Sequence, residues 1–260
     1  MGFKNSIIWM YFSTPKHFYP FTGKLIPWFG ALAAILTVVG LYMGFFVAPT
    51  DYQQGDSYRI IFIHVPAAWM SMLIYLIMAA YSVIGVVWNI KIADIMASAL
   101  APTGAMFTFL ALWTGALWGK PTWGTYWVWD ARLTSYLILL FLYIGYMSLQ
   151  SAIDDPRRAA KASALLAIVG VINVPIIYFS VRWWNTLHQG ASVSVTKAPT
   201  MAATMFQAMM VMFFAFWLYT IAVVLIRARS IVLEREKNTT WVEALLGNQG
   251  KGDQEAGSQK

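Results

Sequence analysis

Two of the three histidines in this 260-residue chain stand among residues that could share their chemistry. His64 lies in RIIFIHVPAAW and His188 in SVRWWNTLHQG. A neutral imidazole is a good metal ligand, and two of them can take opposite faces of an iron held in a planar macrocycle. The same pair could begin a zinc site, but zinc wants three or four close ligands. The chain has no cysteine, and Asp51, Asp56 and Asp130 are only loose alternatives. Between the histidines runs WGKPTWGTYWVWDARLT, which places Trp118, Trp123, Trp127 and Trp129 within twelve residues. An aromatic belt at a membrane interface accounts for any one of them. Four together also make a shelf for a flat, apolar ligand. In extended backbone Trp127 and Trp129 share a face, with Asp130 beside them.

A planar ligand with carboxylates needs cations, and Arg59, Arg132, Arg182 and Lys197 could supply them. Arg132 could equally pair with Asp130. Trp183, Trp184 and Asn185 could wall the same place or anchor the interface. His17 reads as an ordinary surface histidine. Met201, Met205, Met209 and Met212 form a stripe at helical spacing that suits packing. The chain has no GxxxxGK[ST], HExxH or serine-elbow pattern. It is therefore expected to hydrolyse no ATP and to be a binder rather than an enzyme. The lack of cysteine excludes disulfides and a CxxCH haem attachment.

The elements that must position these residues are apolar. Hydrophobic residues make up 59% and charged residues 11%, against about 25% charged in a soluble domain. Apolar runs near 25–48, 65–90, 98–119, 135–153, 163–181 and 203–226 each approach the roughly 20 residues that cross a bilayer as helix. The expected fold is all-α: a polytopic membrane protein with six transmembrane helices. Lys4, Lys16, Lys24, Lys91, Arg157, Arg158, Lys161, Arg227, Arg229, Arg235, Lys237, Lys251 and Lys260 fall on one side, 13 of the 18 basic residues. That asymmetry predicts both termini in the cytoplasm. His64, His188 and the tryptophan-rich stretch then share the outer face. The net charge of +7 follows the membrane asymmetry and is no nucleic-acid footprint.

Finer expectations follow. Residues 1–240 form the membrane domain, and 241–260 a disordered cytoplasmic tail. The first run is an uncleaved span. Pro102 and Gly104 interrupt the third run, and Gly119, Pro121 and Gly124 argue against helix throughout the tryptophan-rich stretch. Pro66 sits in the first turn of a span. Pro175 kinks the fifth, and Asn173 hydrogen-bonds to a neighbour. Gly40 with Gly44, and Gly115 with Gly119, suit close helix contacts.

The stretch Trp123-Gly124-Thr125-Tyr126-Trp127-Val128-Trp129-Asp130-Ala131-Arg132-Leu133-Thr134 resembles the tryptophan-rich signature of haem-handling proteins, with Tyr126 where many relatives have Trp. Together with His64 in HVPAAW and His188 in RWWNTLHQG, it makes residues 15–235 similar to the cytochrome c maturation protein C family, also called haem exporter protein C, of bacterial inner membranes. The signature is shared with larger haem lyases, whereas six spans suit this family. The resemblance implies that haem b is held on the periplasmic side by His64 and His188 as axial ligands. Trp118, Trp123, Trp127, Trp129, Asp130, Arg132 and Trp184 are expected around it. It also implies delivery to a periplasmic haem chaperone, beside an ABC-type ATPase subunit, its membrane partner and a small single-span subunit. The rival readings are a cofactor-free subunit of an ABC transporter and a haem-containing redox protein. The second is disfavoured because the spans hold no further histidine for a second haem.

Overall fold

The computed structural model describes residues 14–188, 190, 193, 198–245 and 247. Each apolar run is a helix, and most extend beyond their apolar cores. Helix α1, Pro15–Tyr42, continues through a π-helical turn, Met43–Val47. A 3-10 turn, Asp56–Ile60, leads into α2, Ile61–Trp88. Then come α3, Lys91–Trp123, and α4, Ala131–Ala152. Helices α5, Pro156–Gly170, and α6, Asn173–Trp183, share the fifth span, and α7, Ala203–Arg235, is the last. These make six apolar membrane-spanning helical segments in an all-α protein.

Proline behaves differently from the sequence expectation at three places. α2 begins before His64, so Pro66 lies in its second turn and is buried rather than marking its start. α3 runs unbroken through Pro102, Gly104, Gly119 and Pro121, and ends only where Gly124 takes φ 79°. Ten of the 17 residues of the tryptophan-rich stretch are thus helical and only residues 124–130 are irregular. In the fifth span the helix breaks at residues 171–172, ahead of Pro175. Pro175 has no amide to give Val171, whose carbonyl accepts from Val174 at 3.0 Å instead. Asn173 at the break donates to the Ser135 carbonyl at 2.9 Å, the interhelical bond its mid-span position suggested.

α2 and α3 are antiparallel neighbours joined through Asn89, in the left-handed region at φ 54°, and Ile90. α1 pairs with α7, which also touches α2 and α3. α4 packs on α3, α5 and α6. The core is held by small residues and buried hydroxyls. Tyr143, fully buried, donates to the Ser71 carbonyl at 2.7 Å, and its ring fills the space beside Gly104. Gly40 and Gly44 admit Met212 and Phe62. Met205, Met209 and Met212 are buried with Tyr58 and Phe62, so most of the methionine stripe is packing. Residues 240–245 are helical, with Val242 buried and the Trp241 ring 6.0 Å from Tyr19. The boundary expected at residue 240 falls at this turn; residues 246 and 248–260 lie outside the described residues.

A Cβ at Gly104 would overlap the Tyr143 ring, whereas one at Gly30 meets nothing within 4 Å. Gly104→Ala is expected to destabilise the protein by about 1–3 kcal/mol through overpacking. Gly30→Ala should leave the thermal unfolding midpoint in detergent unchanged; equal midpoints for the two variants would contradict the packing described.

Candidate functional site

The site starts from the approach of α2 to α3. His64 is the fourth residue of α2, and the turn before it is pinned to the end of the first span. Tyr58 donates its hydroxyl to the Pro49 carbonyl at 2.6 Å. Arg59 donates to the carbonyls of Gly44 at 2.7 Å and Ala48 at 3.2 Å, and pairs with Asp56 at 3.0 Å. Arg59 is thereby an anchor between helices. Asp51 accepts from the amides of Gln53 and Gln54.

Facing His64, α3 presents Ala111, Thr114, Gly115 and Trp118, at i, i+3, i+4 and i+7 on one helix face. Nδ1 of His64 lies 3.1 Å from Thr114 Oγ1. A Cβ at Gly115 would lie 2.9 Å from the imidazole Cε1, so only glycine leaves the ring undisturbed there. Trp118 meets the ring edge-on, centroids 5.6 Å apart, and its indole N–H donates to Gln54 Oε1 at 2.7 Å. His188 follows α6 and comes within 6.0 Å of the Trp123 ring.

At the start of α4, Asp130 accepts from the Leu133 amide at 2.8 Å as helix cap. Arg132 donates to the Ile177 carbonyl at 3.2 Å and lies over the Tyr136 ring. The Asp130–Arg132 ion pair allowed by their spacing does not form. His64, His188, Trp118, Trp123, Arg132 and Tyr136 all line one cavity, with about 670 Å³ of atom-free space, part of it open to the surroundings. Its remaining wall is almost wholly apolar. A mostly apolar wall with a few convergent polar groups is the character of a small-molecule site.

The other expected residues lie outside that lining. Trp127 and Trp129 stand edge to face, 5.3 Å apart, and Trp129 is 76% exposed. Trp129 and Asp130 border a second hollow with Asn185, Thr186 and Leu187. Trp184 is half exposed and lies edge-on to Trp183. Arg182 lies over Phe179, and Lys197 is outside the described residues. His17 Nδ1 lies 2.8 Å from Thr14 Oγ1 at the start of α1. Among the described residues no group of three or more His, Cys, Asp or Glu converges, which leaves the zinc reading without its ligands.

A family model described as "Heme exporter protein C" matches residues 8–243. The chain belongs to the haem exporter protein C family. It is 48% identical over 238 residues to heme exporter protein C of Escherichia coli K12, covering 91% of this chain and 96% of that one. Identity to the Haemophilus influenzae relative is 47%, over 91% and 97% of the two chains. For Bradyrhizobium diazoefficiens it is 49%, over 86% and 84%.

In this haem exporter protein C family member, sequence reasoning missed Thr114, Gln54 and Tyr136 as neighbours of the cavity. The α3 face from Ala111 to Trp118 carried a usable signal, since its small residues recur at helical spacing directly before an aromatic one. Within the irregular segment, buried Trp127 Nε1 and Asp130 Oδ2 have no hydrogen-bond partner in the protein. Asp130→Ala removes the α4 cap and is expected to cost about 1 kcal/mol. Hydrogen exchange at the Leu133 amide should then quicken roughly fivefold, with Asp130→Asn retaining most of the protection. Exchange unaltered by the alanine substitution would exclude the cap.

Proposed function

We propose that this multi-pass inner-membrane protein holds haem at the cavity between His64 and His188 and hands it on during c-type cytochrome biogenesis. Family membership supports the general role, that of a haem-handling transport subunit rather than an enzyme. The observation that carries the site is the convergence of two histidines from distant parts of the chain on one cavity with Trp118, Trp123 and Arg132. The chemistry of that set fits haem b as a cargo. Two imidazoles can serve the iron, indole rings can cover the macrocycle, and Arg132 can meet a propionate. Trp127, Trp129 and Trp184, more peripheral, present aromatic surface where the cargo would leave.

Function in this reading is capture, presentation and release. His64 and His188 occupy both axial positions and keep small ligands away from the iron. A periplasmic haem chaperone displaces one histidine and takes the cargo. No covalent bond of haem is broken by this chain. An ABC-type ATPase subunit, its membrane partner and a small single-span subunit supply the energy for release. The distribution of basic residues supports an orientation with both termini in the cytoplasm and the cavity towards the periplasm.

Ultraviolet–visible spectra of the detergent-purified protein, oxidised and reduced, test the site. Wild type should show a low-spin bis-histidine haem, lost or converted to high spin in both His64→Ala and His188→Ala. Haem indifferent to both substitutions would move the ligands elsewhere; its absence from wild type would favour a cofactor-free transporter subunit. Orientation has its own test, made clean by the cysteine-free sequence. A cysteine replacing the exposed Tyr52 should react with a membrane-impermeant maleimide added outside spheroplasts, and one replacing Asp154 should not. The opposite pattern would invert the topology.

A further inference from the structure

The hydroxyl of Thr114 has one proton, and its geometry shows where that proton goes. Thr114 Oγ1 lies 2.6 Å from the Leu110 carbonyl, one turn back on α3, as donor. Its oxygen is then left to accept, and 3.1 Å away stands His64 Nδ1. An oxygen left to accept on that side of the ring calls for an N–H at Nδ1. Gly115 completes the arrangement, because the absence of a Cβ there makes room for the imidazole against α3.

We propose that Thr114 is a positioning residue that fixes His64 in the Nδ1–H tautomer, leaving the Nε2 lone pair directed to the cavity. The inference rests on the haem reading and deepens it. Outer partners of a ligating histidine set its tautomer and orientation and raise its basicity, and their loss typically weakens metal binding about 10–100-fold. A ligand prepared in this way need not reorganise when iron arrives.

The test uses Thr114→Val, which keeps the shape and removes the hydroxyl, and Thr114→Ser, which restores it. Nitrogen-15 histidine NMR of the haem-free protein in detergent reads the tautomer directly. Wild type and Thr114→Ser should carry the His64 proton on Nδ1, and Thr114→Val should show a mixture or the other tautomer. In haem titrations Thr114→Val should bind about 10–100-fold more weakly, with Thr114→Ser near wild type and equal thermal midpoints for all three. A proton on Nε2 in the wild type overturns the inference. So does a valine variant with unchanged tautomer and affinity. Failure of the wild type to bind haem would instead strike the underlying reading, with the NMR result still standing for or against the tautomer.

Discussion

Everything at the cavity depends on how closely α2 can lie against α3. Their connection is too short for any arrangement but antiparallel neighbours, and their facing surfaces are rich in small buried residues: Ala67, Ala68 and Ser71 on one helix, Ala97, Ala101, Thr108 and Ala111 on the other. In lipid there is no hydrophobic force to draw helices together, so close backbone approach and side-chain packing supply the attraction. That approach brings the His64 ring against Thr114, Gly115 and Trp118 and leaves it little freedom. α4 is then hung on the backbone of α2 through Tyr136, bonded to the Ala68 carbonyl at 3.2 Å, and Tyr143, bonded to Ser71. Arg132 reaches the cavity because those tyrosines set the height of α4.

Several polar residues within the spans are tied in by partners on neighbouring helices. Arg227 donates to the buried Thr103 hydroxyl at 2.8 Å. Arg229 lies over the Tyr19 ring and donates to the Tyr19 carbonyl, joining α7 to α1. Gln150 bonds to Ser163 at 2.6 Å between α4 and α5. Such groups are costly in a bilayer interior and are kept where a partner compensates them. At the cavity the emphasis changes from polar pairs between helices to aromatic rings and two imidazoles around an apolar space.

The six spans were legible because a run of about twenty apolar residues is the length a bilayer demands of a helix and far more than a soluble core needs in one stretch. The shared cavity of His64 and His188 was legible in outline, from counting basic residues and assigning both histidines to one face. What the sequence concealed was the division of the tryptophans. Gly119 and Pro121 look like breakers, yet the helix passes through both and carries Trp118 and Trp123 to the cavity, and only Gly124 ends it. Proline in a long membrane helix loses one backbone bond, here the one position 121 would give to the Leu117 carbonyl, and α3 continues past that loss. Arg59 was equally hidden, because nothing in its local sequence shows that carbonyls fifteen and eleven residues earlier would claim it. Pairings across a fold of this kind come from tertiary approach, which local spacing does not record.

The unequal lengths of α3 and α4 give the cavity end of the bundle a step. Tyr143, nine residues before the end of α4, fills the space beside Gly104, thirteen residues into α3. At about 1.5 Å per residue the 33-residue α3 is about 17 Å longer than the 22-residue α4. α4 itself spans about 33 Å, close to the roughly 30 Å of a hydrocarbon layer. Twelve residues back along α4 from Tyr143 and twelve forward along α3 from Gly104, the first residue of α4 comes near Ala116, so Trp118 and Trp123 overhang it and residues 124–130 descend between the two heights.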